Sequence, residues 1–151
     1  MTADAGSIAA RASSAGLLAI AGLHALWATG SPWPLRDSRE LADKVAGRPG
    51  DFHSPAECLA VSGLLVTASA LVAGAPRGSP RLSRIGAAGV IAVLTTRGAL
   101  GLAGRTDVLA PGASSERFRR IDRRVYSPLC LALAAGALPA LRRRDSGFRR
   151  R

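Results

Sequence analysis

At 151 residues the chain has the length of one domain, and 48% of its residues are hydrophobic although only 4% are aromatic. That apolar content excludes a disordered chain, two cysteines exclude a disulfide scaffold, and the length excludes a multidomain enzyme. The net charge of +11 rests on 20 arginines and the single Lys44, a bias that reads as coding preference rather than selection for a phosphate-binding surface, so basicity alone is weak support for nucleic acid.

Charge placement says more than charge total, because the 31 charged residues leave four long gaps. The first runs from Ala12 to Thr29, 18 residues without Asp, Glu, Lys or Arg. Arg11 ahead of it suits a secretory signal, but Asp4 dilutes the positive charge. Trp27 and the prolines after it also stand where small cleavage-site residues belong, so the segment is expected to stay as an anchoring span. In the loop that follows, Gly30 to Glu57, Asp37-Ser-Arg-Glu40 has the form of a capping box. Leu41 and Val45 lie one turn apart and Gly47 is placed to end the turn, which predicts a short helix in the membrane interface.

The second gap, Cys58 to Ala75, is again 18 residues long and follows Ser54-Pro-Ala-Glu57, a capping box with proline at the first helical position. A tight loop, Pro76 to Arg84, carries three arginines and no acid. The third gap, Ile85 to Gly104, is interrupted by Arg97 alone. Loop three, Arg105 to Arg124, ends with Phe118, Ile121 and Val125 at helical spacing and arginines opposite, so it too is expected to lie partly along the interface. The fourth gap covers Val125 to Leu141. From Pro128 onward only about 21 Å of helix remains, too short to cross, so a long helix is expected from near Ser115, bent at Pro128. Residues 142–151 make a basic tail.

A hydrocarbon core of about 30 Å takes roughly 20 helical residues, with a lower limit near 17, and all four segments qualify. A soluble four-helix bundle is the competing reading, and it needs a polar stripe along every helix. None of the four has one; the second offers only hydroxyls, which a helix can bond back to its own carbonyls. The mean hydropathy of +0.17 is held down by arginine-rich loops. The expected fold is all-α: an integral membrane up-down four-helix bundle in one domain, with spans near residues 12–29, 58–75, 85–104 and 125–141, a short interfacial helix in loop one and a Pro128-kinked fourth helix.

Four spans put both termini and loop two on one face and loops one and three on the other. Lysines and arginines outside the spans divide ten against ten. Crowding of Arg77, Arg81 and Arg84 in the short second loop assigns the termini to the cytoplasmic side of the cell membrane. Gly98, Gly101 and Gly104 line one strip of the third span, and Ala132, Ala135 and Gly136 a strip of the fourth, which reads as close helix packing.

This topology draws the polar outliers together. His24, Trp27, Glu57, Cys58, Arg97, Asp122, Tyr126 and Cys130 all fall toward the face of loops one and three. His24, Glu57, Arg97, Asp122 and Tyr126 are the candidate catalytic groups, with Trp27, Trp33 and Cys130 as candidate ligand contacts. Arg97 is the most informative, because an arginine deep in a span costs about 2.5 to 3.5 kcal/mol on insertion scales and is usually paired. Glu57 and Asp122 are its candidate partners, and snorkelling toward the headgroups is its alternative. Each of the others has a plainer reading as well. Glu57 can cap the second span, Trp27 and Trp33 can anchor at the interface, His24 can be a hydrogen-bonded packing residue, and Tyr126 can bond carbonyls that Pro128 leaves unpaired. Cys58 and Cys130 share the face, so a disulfide is open if that face is extracytoplasmic. No metal-ligand spacing, P-loop or CxxC occurs, and neither metal nor cofactor is implied.

At these residues a resemblance emerges. His24-Ala-Leu-Trp-Ala-Thr-Gly-Ser-Pro-Trp-Pro34 and Arg123-Arg-Val-Tyr-Ser-Pro-Leu-Cys130 resemble the bacterial domain-of-unknown-function family 3995, small four-span membrane proteins. The similarity extends over almost the whole chain. It implies the architecture and singles out the same two stretches, and it implies no activity.

Two functions follow from the residues. One is a membrane-embedded pocket that binds or transforms a small lipophilic molecule, with acid-base chemistry such as cyclisation or isomerisation of an isoprenoid or lipid. The other is a non-catalytic module that packs on a partner, or on copies of itself, through its small-residue strips. A transporter is disfavoured for four thin spans without repeats. The bilayer is the expected surrounding, and nucleic acid is not an expected partner because the basic residues flank the spans without interleaved aromatics.

Overall fold

The computed structural model describes residues 2–47, 54–76, 79–109 and 115–142, and among them every regular element is helical. In chain order these are α1 (Thr2–Ala28), α2 (Ser38–Leu41), α3 (Pro55–Ala73), α4 (Pro80–Leu102), α5 (Thr106–Leu109), α6 (Glu116–Ile121) and α7 (Ser127–Ala137). A π-helical turn, Ala42–Ala46, prolongs α2; a second, Asp122–Tyr126, joins α6 to α7, and a 3-10 turn, Leu138–Arg142, follows. The last four form one helical rod, Glu116–Arg142, of 27 residues.

Four segments are long and apolar enough to cross a membrane: Ala5–Ala28, Pro55–Ala73, Pro80–Leu102 and Glu116–Arg142. Each helix begins several residues ahead of the uncharged stretch inside it, because the capping and proline residues that start a helix carry the polar groups its first turn needs. Ser54 and Glu57 cap α3 reciprocally with Pro55 in its first turn, as the sequence pattern predicts.

α1 packs on α3 and α7, and α4 packs on the same two, so the spans form a square in which chain neighbours are spatial neighbours. The directions alternate. Ser14 meets Ser69 while Ala21 meets Ser62, and Gly98 meets Leu131 while Gly104 meets Arg123. In the centre, Leu17, Val72, Leu133 and Ala137 are buried, flanked by Leu65, Ile91 and Leu94. Outward-facing side chains are just as apolar: Leu64 and Ile85 are each 70% exposed and Val93 68%. Such a surface is stable only in an apolar surrounding, which identifies an all-α membrane bundle.

The hydroxyls of the spans do more than bond their own helices. Thr67 does return its proton to the Gly63 carbonyl, 2.9 Å away. Ser62, however, donates to Ala21 of α1 (2.9 Å), Ser69 to Ser14 (2.9 Å), and Ser13 to Leu133 of α7 (2.8 Å). These bonds cross between helices, because small residues bring the backbones near enough for a short side chain to reach a neighbour's carbonyl.

Loop one holds the short helix expected of it, packed on the bundle. Asp37 caps α2, accepting from the Glu40 N–H at 2.7 Å, while the Glu40 carboxylate accepts from the Arg36 N–H at 3.3 Å. Gly47 ends the π turn with a φ of +68°, a conformation costly for a side chain with a Cβ. Leu41 and Ala42 are fully buried, and Leu41 packs against Trp27 and Cys58. The segment is a cap seated on one end of the bundle.

Candidate functional site

Pro128 sets the local geometry of the site. It has no N–H to give and its ring crowds the carbonyl four residues back, so the preceding turn widens. A bend is expected at this proline; ahead of it the structure has a π turn, Asp122–Tyr126, in which the Ser127 N–H bonds the Asp122 carbonyl. In an α-helix residues five apart differ by about 140° around the axis; here the wider turn stacks them, and Ser127 Oγ donates to Asp122 Oδ2 at 3.0 Å. The extra residue also turns Val125 outward, 52% exposed, while Phe118 stays buried and Tyr126 half-buried. The expected stripe of Phe118, Ile121 and Val125 is broken for that reason.

α4 supplies the other half. Arg97 Nη2 donates to Asp122 Oδ1 at 2.5 Å. Asp122 is 0% exposed, and the arginine side chain 28%. A carboxylate taken wholly out of water needs a cation and donors on both oxygens, and Asp122 has them in Arg97 and Ser127. Gly101, one turn after Arg97, makes the approach possible. A Cβ there would overlap Ser127 Oγ and Asp122 Oδ2 and come within 2.8 Å of Arg97 Nη1. That same Nη1 is buried and has no hydrogen-bond partner among the described residues.

A second polar layer closes the end of the bundle. Ser115 Oγ donates to Asp43 Oδ1 at 2.6 Å, and the Ser115 N–H donates to the Gly47 carbonyl at 3.2 Å. Tyr126 donates its hydroxyl proton to the Lys44 carbonyl at 3.2 Å, so its partner is the loop-one cap and not a carbonyl freed by Pro128. Lys44 in turn holds Glu40 at 2.5 Å. That hydrogen bond, aided by the Arg36 N–H, keeps the Glu40 carboxyl below its ordinary pKa.

The remaining candidates are engaged elsewhere. His24 lies 2.9 Å from the Ile20 carbonyl one turn back, and its ring packs on Trp27 with centroids 4.8 Å apart. α1 and α4, which carry His24 and Arg97, occupy diagonal corners of the square. Trp27 is buried under loop one and donates its indole N–H to the Trp33 carbonyl at 2.8 Å, whereas Trp33 is 60% exposed. Glu57 accepts from Ser54 in the cap of α3. Cys58 is buried beside Trp27, Cys130 is half-buried on α7, and both thiols are free. His53, and the tail beyond Arg142, lie outside the described residues. Among the described residues no three His, Cys, Asp or Glu side chains gather to hold a metal.

Of the candidates, the structure therefore joins Arg97 with Asp122 and sets Tyr126 in the adjoining layer. Ser127, Gly101, Asp43, Lys44 and Ser115 complete the assembly; none was a candidate site residue in the sequence, where Gly101 was placed only in a packing strip. The Ser-Pro pair at 127 was the available signal for the first, since the residue before a helix proline is where the backbone widens.

Residues 17–137 match the family model described as "Protein of unknown function (DUF3995)", and the chain belongs to that family. No curated protein and no solved structure matches the chain.

Proposed function

We propose that this family member is a multi-pass membrane protein that binds the polar end of a small lipophilic molecule at the Arg97–Asp122 centre. The carrying observation is the Arg97 Nη1 group, a buried cationic donor with no acceptor among the described residues. A buried donor left without an acceptor is costly, and a carbonyl, carboxylate or phosphate oxygen arriving from the bilayer would satisfy it. The Arg97 side chain as a whole is 28% exposed, so a small shift of it would open the buried Nη1 to a group arriving from the lipid side. Binding is favoured over turnover, since Asp122 is wholly buried with both oxygens already bonded and offers no accessible base. In this reading the termini face the cytoplasm.

The test is gentle extraction of the native protein and of the Arg97→Leu/Asp122→Leu variant, followed by mass spectrometry of co-purifying small molecules. Replacing both partners by apolar groups is often neutral for stability, so the variant should fold. A lipophilic molecule retained by the native chain and absent from the variant is the expected result. Identical lipid content in both rejects the reading. One observation favours the alternative, a non-catalytic module acting through a partner protein: His24, Tyr126, Asp122 and Glu57 all have intramolecular hydrogen-bond partners. Under that reading the variant changes partner association and leaves lipid content alone.

A further inference from the structure

Composition argued against a phosphate-binding surface, yet four of the arginines are gathered in one place. Where the end of α4 meets the first turns of the fourth span, an open cleft of about 560 Å³ is lined by Gly104, Glu116, Arg119, Arg120, Arg123 and Arg124. The spacing produces the gathering. Residues 119 and 123, like 120 and 124, are four apart, and like charges at that separation destabilise a helix unless something neutralises them. Among the described residues little neutralises them. The ion pair within the cleft, Arg119 with Glu116, is 3.9 Å long and exposed, which leaves a lining of four cations and one anion. Gly104, at φ +76°, lets the Arg123 guanidinium lie against the α4 terminus where a Cβ would strike it. The cleft opens at the end of two helices long enough to cross a membrane, and the ends of such helices reach the headgroup region of a bilayer.

We propose that this cleft binds one phosphate group, the phosphodiester of a membrane lipid or a free phosphate, between the guanidinium forks of Arg119, Arg120, Arg123 and Arg124. Guanidinium presents paired N–H donors that match two phosphate oxygens; with cytoplasmic termini this end of the bundle faces the outer leaflet, whose anionic headgroups are the lipid source. The site stands apart from the Arg97 centre, because none of its lining residues takes part in that ion pair.

The experiment reconstitutes the chain in vesicles of equimolar phosphatidylcholine and phosphatidylglycerol, extracts it in neutral detergent and counts retained lipids by native mass spectrometry. One phosphatidylglycerol per chain is expected, in preference to phosphatidylcholine. An arginine near an anionic surface contributes a factor of about five, so Arg119→Gln/Arg123→Gln should lower retention by roughly 25-fold. The charge-matched control Arg36→Gln/Arg117→Gln, which alters exposed arginines outside the cleft, should leave it unchanged. Circular dichroism checks that each variant is helical. If the glutamine pair does not fold, Arg119→Lys/Arg123→Lys carries the test, keeping the charge while removing the fork, with a several-fold loss expected. Added inorganic phosphate separates the sources: displacement of the lipid assigns the cleft to free phosphate, and persistence assigns it to the headgroup. Equal losses in cleft and control variants, a lysine pair that binds as well as the native protein, or the absence of both a preference for phosphatidylglycerol and any binding of inorganic phosphate overturns the proposal.

Discussion

Two glycines on α4 give a sharp contrast. Gly101→Ala and Gly89→Ala are the same chemical change in the same helix, and each gains about 1 kcal/mol of helix propensity. At Gly89 nothing lies within 4 Å of the new Cβ, so that gain should survive as a stabilisation of about 1 kcal/mol. At Gly101 the methyl group enters space held by Ser127, Asp122 and Arg97 at once. Overpacking costs about 1–3 kcal/mol, and opening a charge-assisted hydrogen bond about 1.5–3 kcal/mol. Less the propensity gain, Gly101→Ala should destabilise the protein by about 1.5–5 kcal/mol. Titration of the protein in mixed micelles with a denaturing detergent, followed by circular dichroism, measures both. In the Arg97→Leu/Asp122→Leu background the cost at position 101 should change, because the groups it displaces are different. If both alanines move the midpoint in the same direction by similar amounts, the assignment of Gly101 as the space for the ion pair is wrong.

Asp122→Asn should cost about 2 kcal/mol, the 3–5 kcal/mol of a broken buried pair reduced by the partial exposure of Arg97, while Arg97→Leu/Asp122→Leu costs less than the two single changes together. A double-mutant cycle with no coupling energy would remove the pair from the account. Ser69→Ala should cost about 0.6 kcal/mol by cutting the α1–α3 bonds, whereas Thr67→Ala, which bonds only within its helix, should be close to neutral; equal effects would deny the cross-helix bonds a role. Because the folded-state pKa of Glu40 is lowered, its contribution is present above the unfolded value, near 4.5, and fades as the pH falls through the lowered one. The stability difference between native protein and Glu40→Gln should therefore shrink on acidification, and a difference that grows toward acid contradicts the Lys44–Glu40 assignment.

The architecture was legible because a membrane imposes one simple demand, a long stretch without charge, and four such stretches meet it. The centre of the site was legible for a related reason. Arg97 interrupts a span and needs a partner, and of the two acids considered Glu57 already had a capping box to occupy it. What escaped the sequence depends on contacts between distant segments. Tyr126 bonding Lys44 requires loop one to be seated on the bundle, and Ser14 bonding Ser69 requires knowing which faces meet. Pro128 announced a disturbance of the helix but not its form, and the form decides that Asp122 and Ser127 stack while Val125 turns out. Gly101 looked like any other member of a packing strip, since a missing Cβ carries no mark of what fills its place. The cleft arginines read in the sequence only as the polar side of an amphipathic segment along the interface, because one segment cannot show that α4 ends beside it.

The clasp between loop one and the fourth span also imposes an order of assembly. Asp43 waits for Ser115, 72 residues later, and the Lys44 carbonyl waits for Tyr126, 82 residues later. During synthesis the short helix can seat Leu41 against Trp27 and Cys58 once the second span has begun, but its bonds to Ser115 and Tyr126 wait for the fourth, so the end of the molecule that holds Arg97 and Asp122 is completed by the last span made. A polypeptide cut before Ser115 would retain the first three apolar rods and lack both bonds of the clasp.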